Sequence, residues 1–115
     1  MRKPVQHDER RQFERMSIPE TSGVHVFDPD GEPIGPMIVL GRGGMMVKTK
    51  QDFKKGAVYS LVIHDGTEGI KREVRAQARD ISASGIGFQF EDLGPDAAVE
   101  VGVIIGKYYS AAGGR

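Results

Sequence analysis

Between positions 24 and 90 the chain runs in short apolar or alternating stretches, each closed by a turn signal. "GVHVF" alternates from Val24 to Phe27 and stops at "DPDG". A two-residue period places side chains on opposite faces of a strand. "PMIVL", Pro36–Leu40, is apolar and ends in "GRGG", and "MMVKT" follows at once. Glycines at 41, 43 and 44 permit positive φ, so a sharp bend is expected there. "DFKKG" is a turn, "AVYSLVIHD" a strand, and "DGTEG" the close of a hairpin. In "IKREVRAQARDI", Ile70, Val74, Ala76 and Ala78 share one face, with Arg72 near an end. "SASG" turns the chain into "GIGFQFEDL", with Ile86, Phe88 and Phe90 on one side. Six or so short strands at this spacing predict an all-β fold, a small antiparallel barrel or sandwich.

The pattern changes after "EDLGPD". Pro95 suits the first position of a helix, behind Asp92 or Gly94. "AAVEVGVIIGKYYS" is apolar enough to dock on a barrel mouth, but its β-branched residues and two glycines are poor helix formers. A short C-terminal helix is the preferred reading and a last strand the alternative. Residues 1–16 are polar and charged and read as a flexible arm. Pro19 and "ETSG" break any helix there. Residues 17–110 form the barrel domain with its helix, and residues 111–115 a fraying tail.

A length of 115 residues supports one domain with one modest core. Sixteen basic and sixteen acidic side chains cancel. A general nucleic-acid binder needs a basic surplus to displace counterions, so DNA and RNA are not expected partners. Zero net charge and few aromatics also weigh against an oligonucleotide-binding barrel. The absence of cysteine excludes disulfides, Cys-based zinc sites and thiol nucleophiles. No apolar run reaches the roughly 18 residues of a spanning helix. The N-terminal "MRKPVQHDERRQFERM" is charged where a signal peptide would be apolar. The expectation is a soluble, cytoplasmic protein with no membrane partner.

His7, His25 and His64 share no metal-ligand spacing, and no nucleophile elbow is present. No metal, cofactor or enzymatic activity is expected. Three short stretches carry the candidate chemistry. "RRQFER" places Arg10, Arg11 and Arg15 ahead of the first strand. Guanidinium forks pair bidentately with phosphate and with the O6/N7 edge of guanine, and stack on flat rings. A solvated charge run, balanced by Glu9 and Glu14, is the plainer reading. "VLGRGGMMV" is a glycine-rich turn whose N–H groups could hold a phosphate, or simply a tight hairpin. "DISASG", Asp80–Gly85, offers a carboxylate and a hydroxyl, but such residues commonly bond their own backbone in turns.

Taken together, these features resemble a PilZ domain. That family has an arginine arm of form R-R-x-x-x-R, a six-stranded antiparallel barrel and usually a C-terminal helix. A box of form [D/N]-x-S-x-x-G lies early in the barrel. "RRQFER" matches the arm, with Phe13 between the arginines, and "GIGFQFEDL" resembles the family's late strand. The resemblance covers about residues 8–110 and implies a six-stranded barrel that binds the second messenger cyclic di-GMP and passes the signal to a protein partner. The box falls at "VLGRGG", where Val39 replaces the acid and Gly41 the serine, and only Gly44 remains. "DISASG" matches the box letter for letter but lies before the late strand, where the family has a plain connection. The implied ligand residues are therefore Arg10, Arg11, Arg15, Gly41, Arg42 and Gly44, with DISASG left as a polar turn. The altered box leaves open a degenerate domain that binds no nucleotide and serves as an interaction module. "MMV" and "VIIGKYY" either form a dimer face or fill the core.

Overall fold

The computed structural model describes residues 15–111, with side chains through Tyr109. Its strands are β1 (Arg15–Ser17), β2 (Val24–Phe27), β3 (Pro33–Gly41), β4 (Gly44–Val47), β5 (Val58–Asp65), β6 (Ile70–Ser82) and β7 (Gly85–Phe90). One helix follows, α1 (Pro95–Ala111). The strands pair in the order β1-β3-β2-β5-β6-β7-β4, and β4 pairs back onto β3. All the pairings are antiparallel. β2 to β7 thus close into a six-stranded barrel, which leaves no open edge among them. β1 lies on β3 as an extra strand.

Alternation builds the core. β2 buries Val24 and Val26, β5 buries Leu61 and Ile63, and β6 buries Val74, Ala76 and Ala78. Burying each larger aliphatic side chain contributes about 1.5–3 kcal/mol. The "DPDG" turn is held by the Asp28 carboxylate, which accepts from the N–H groups of Asp30 and Glu32, both at 2.9 Å. Two apolar stretches whose role was open in the sequence fill the core: Met45 and Val47 from one, Ile104 and Ile105 from the other.

Three expectations need adjustment. β3 begins at Pro33 rather than Pro36, because β2 pairs along its first half. Arg15 and Met16 belong to β1 rather than to the arm. The bend after Gly41 does not use positive φ at any of its glycines. Gly44 is required for a different reason: a Cβ there would lie 2.3 Å from the Phe88 carbonyl oxygen on β7.

The helix follows its sequence signals. The Gly94 carbonyl accepts from Ala98 N–H at 2.9 Å, so Gly94 is the N-cap and Pro95 the first helical residue. Burial of Ala97, Val101, Ile104 and Ile105 against the barrel overrides weak helix propensity. Ion pairs pin it, the two shortest among the described residues being Arg72 Nε to Glu100 Oε1 and Lys107 Nζ to Asp65 Oδ2, both at 2.7 Å. Asp65 is fully buried and also accepts from the Thr67 amide and hydroxyl. Burial pushes its carboxyl up, but hydrogen bonds from Lys107 and Thr67 and the Lys107 charge outweigh that, so its pKa lies below the ordinary value. Among the described residues, no helix is long and apolar enough to cross a membrane.

Candidate functional site

A cavity of about 680 Å³ opens where β1, the β3–β4 turn and the β6–β7 ladder converge. Its size is typical of small-molecule sites, which span roughly 300–1,000 Å³. Barrel closure makes it. β4 lies between β3 and β7, so the turn at Arg42 and Gly43 stands beside the β6–β7 ladder. Phe90 N–H donates to the Gly43 carbonyl at 2.9 Å and fastens that turn.

Among the described residues, three guanidinium groups, Arg15, Arg42 and Arg79, line the cavity with a single carboxylate, Asp80. All four side chains are exposed. The chain is neutral overall, so this lining concentrates positive charge locally and favours an anionic ligand. Val39, Met45, Met46 and Phe88 add apolar surface, Gly43, Gly44 and Gly87 leave backbone accessible, and the buried Gly41 borders the cavity. A second cavity of about 440 Å³ is lined by Glu73, Glu91 and Asp92 against one arginine, Arg75, and is poorly suited to an anion.

The expected ligand residues sort as follows. Arg15 on β1, Gly41 at the end of β3, Arg42 in the turn and Gly44 at the start of β4 all line the cavity. Arg10 and Arg11 lie outside the described residues. Arg15 pairs across the β1–β3 ladder with Gly41, so strand pairing brings the arm's last arginine to the glycine-rich turn.

"DISASG" divides. Ser82 belongs to the turn: its hydroxyl accepts from Ser84 N–H at 3.2 Å and donates to the Gly85 carbonyl at 3.3 Å. Gly85 has φ +146°, and a Cβ there would lie 2.3 Å from the Val47 carbonyl oxygen. Its glycine is structural. Asp80 is different, because it lines the cavity with Arg15. Arg79 and Gln89, which the sequence did not single out, line it too and hydrogen-bond each other.

A bulge explains the placement. Ala78 pairs with Phe88, but Asp80 pairs with Gly87, so Arg79 is an extra residue in β6. With unbroken alternation Asp80 would follow Ala76 and Ala78 into the core. The inserted residue leaves Arg79 and Asp80 both exposed at the cavity.

The PilZ domain family model matches residues 9–105. The chain belongs to the PilZ family. No curated protein matches it. Among solved structures it is similar to YcgR from Escherichia coli, determined in complex with c-di-GMP, with a TM-score of 0.67 at 20% identity. That match covers 85% of this chain and 45% of YcgR, so the chain spans under half of that protein. It is also similar to an uncharacterized Legionella protein, Lpg0364, with a TM-score of 0.59 at 15% identity, covering 85% of this chain and 96% of the other. At these identities both likenesses concern the PilZ fold. Within that fold, this PilZ domain carries Val39 and Gly41 on the β3 wall of the cavity and Asp80 on the β6 wall.

Among the described residues there is no cluster of three metal-ligating side chains. His25 and His64 face each other across the β2–β5 ladder and pack around Phe27.

Proposed function

We propose that this PilZ domain is a cyclic di-GMP receptor that passes the messenger's signal to a partner protein. The observation that carries the reading is the cavity itself, where Arg15, Arg42 and Arg79 meet the glycine-rich turn. Cyclic di-GMP presents two phosphates and two guanines. Guanidinium forks suit both the phosphate oxygens and the O6/N7 edge. Backbone N–H groups near Gly43 and Gly44 add further donors. Arg10 and Arg11 precede β1 by a few residues and join the ligand from the side of Arg15. YcgR, bound to c-di-GMP, supports the ligand class.

The domain's role is binding rather than catalysis, and a cytoplasmic location belongs to the same reading. Closure of the arm that precedes β1 over the ligand is the signal that a partner reads. Calorimetric titration of the full chain with cyclic di-GMP tests the proposal. Saturable heat in the micromolar range or below is expected, and no heat at high micromolar concentration overturns the receptor role.

One observation favours a second reading. Val39 and Gly41 line the cavity without the carboxylate and hydroxyl of the family's box. A domain that has lost the nucleotide would serve as an interaction module. Binding that is absent in the native chain but appears in the V39D/G41S variant would select this alternative.

A further inference from the structure

We infer that Asp80 supplies, from β6, the carboxylate that position 39 lacks, and that it selects guanine over other bases. The inference rests on the receptor reading and adds a specificity residue to it.

Four observations lead there. First, among the described residues Asp80 is the sole acid in a lining that holds three arginines. For a ligand that were only an anion, this carboxylate would weaken attraction. Its presence makes sense where the ligand also brings hydrogen-bond donors, because an ionised carboxylate accepts and never donates. Second, the bulge at Arg79 is what keeps Asp80 on the cavity side. Bulges of this kind re-aim side chains beside sites. Third, its cross-strand partner is Gly87, and a Cβ on Gly87 would stand 3.4 Å from Asp80 Cβ and Oδ2. A glycine there leaves the flank of the carboxylate open. Fourth, the neighbouring polar groups are engaged in the fold: the Ser82 hydroxyl in the turn, and the Arg79 guanidinium on Gln89. Among the described residues, none hydrogen-bonds or ion-pairs with the Asp80 carboxylate.

Guanine matches this arrangement by chemistry. Its N1–H and N2–H₂ donors stand side by side and suit the two oxygens of one carboxylate. Its O6/N7 edge is an acceptor pair that suits an arginine fork. Adenine presents an unprotonated N1 where guanine has N1–H, which a carboxylate repels. A base flanked by Asp80 and one of the cavity arginines is therefore read on both edges.

The test is a pair of titrations on the native chain and on Asp80→Ala. One ligand is cyclic di-GMP and the other its inosine counterpart, which lacks only the two 2-amino groups. The native chain is expected to bind cyclic di-GMP about tenfold or more tighter than the inosine compound, within the range of one charge-assisted hydrogen bond. Asp80→Ala is expected to lose about tenfold or more toward cyclic di-GMP, so that the preference collapses. Asp80 is exposed, so the variant should keep its thermal unfolding midpoint. If Asp80→Ala keeps both affinity and preference, the role of Asp80 is overturned while the receptor reading stands. If the native chain binds neither compound, the receptor reading fails and the role of Asp80 falls with it.

Discussion

Arg15 and Gly41 are cross-strand partners at the end of the β1–β3 ladder. This pairing joins the two family motifs: the last arginine of "RRQFER" lies opposite the position where the family's box would hold its serine. Strand register, rather than a flexible chain, sets where Arg15 enters the cavity.

Removing that side chain should cost binding without costing stability. Arg15 is exposed, so Arg15→Ala is expected to unfold at the same denaturant midpoint as the native chain. Its affinity for cyclic di-GMP should fall at least about tenfold by calorimetry. Arg15→Lys should recover little, because an ammonium keeps the charge and loses the planar fork. Arg11→Ala is expected to match Arg15→Ala in affinity.

Gly44 and Gly43 should respond oppositely to one added methyl group. At Gly44 a Cβ would meet the Phe88 carbonyl oxygen at 2.3 Å, so β4 or β7 must move. Gly44→Ala should destabilise by about 1–3 kcal/mol in urea unfolding. At Gly43 a Cβ meets nothing within 4 Å, and its φ is not positive. Gly43→Ala should stay within about 0.5 kcal/mol of the native chain.

The ion pair of Asp65 and Lys107 makes stability pH-dependent at both ends. The Asp65 carboxyl titrates below its ordinary 3.8 in the folded chain. Its contribution is fully present above that value and is lost as pH falls through the lower, folded one. Burial lowers the Lys107 pKa, but the hydrogen bond and charge of Asp65 outweigh this and raise it above 10.5. Its contribution is present below 10.5 and is lost as pH rises through the folded value. Asp65→Ala should flatten both limbs in unfolding measured across pH. At pH 7 its cost should be near the lower end of the roughly 3–5 kcal/mol typical of a broken buried pair, because Lys107 keeps some solvent and Glu68 at 3.5 Å.

Ser82 separates the two halves of "DISASG". Its hydroxyl bonds only within the turn among the described residues. Ser82→Ala should leave cyclic di-GMP affinity unchanged and cost about 1 kcal/mol or less in thermal unfolding.

Much of the barrel was legible because its strands alternate. Val24 and Val26, Leu61 and Ile63, and Ile86 and Phe88 announce their inward faces. Gly94 and Pro95 announce the helix start. β1 was not legible, since three residues carry no period and its pairing to β3 is a long-range event. The site was half legible. Arg15, Gly41, Arg42 and Gly44 lie in motifs whose chain order points to one place. Asp80 was singled out as a candidate, but its place at the cavity, and the presence of Arg79 there, were hidden by two things that chain order does not express. Closure of β4 onto β7 carries the β6–β7 ladder to the glycine-rich turn. The bulge at Arg79 then reverses the facing that the run Val74, Ala76, Ala78 would assign to Asp80.

The central claim is that cyclic di-GMP occupies this particular cavity, and amide chemical-shift mapping tests it most directly. Titration of isotope-labelled protein should shift the amides of Arg15, Gly41–Met45, Arg79, Asp80 and Gly87–Gln89, and leave those of α1 beyond Ala97 largely in place. Shifts confined to the helix or to the cavity at Glu91 and Asp92, or no shifts at saturating nucleotide, would contradict the account.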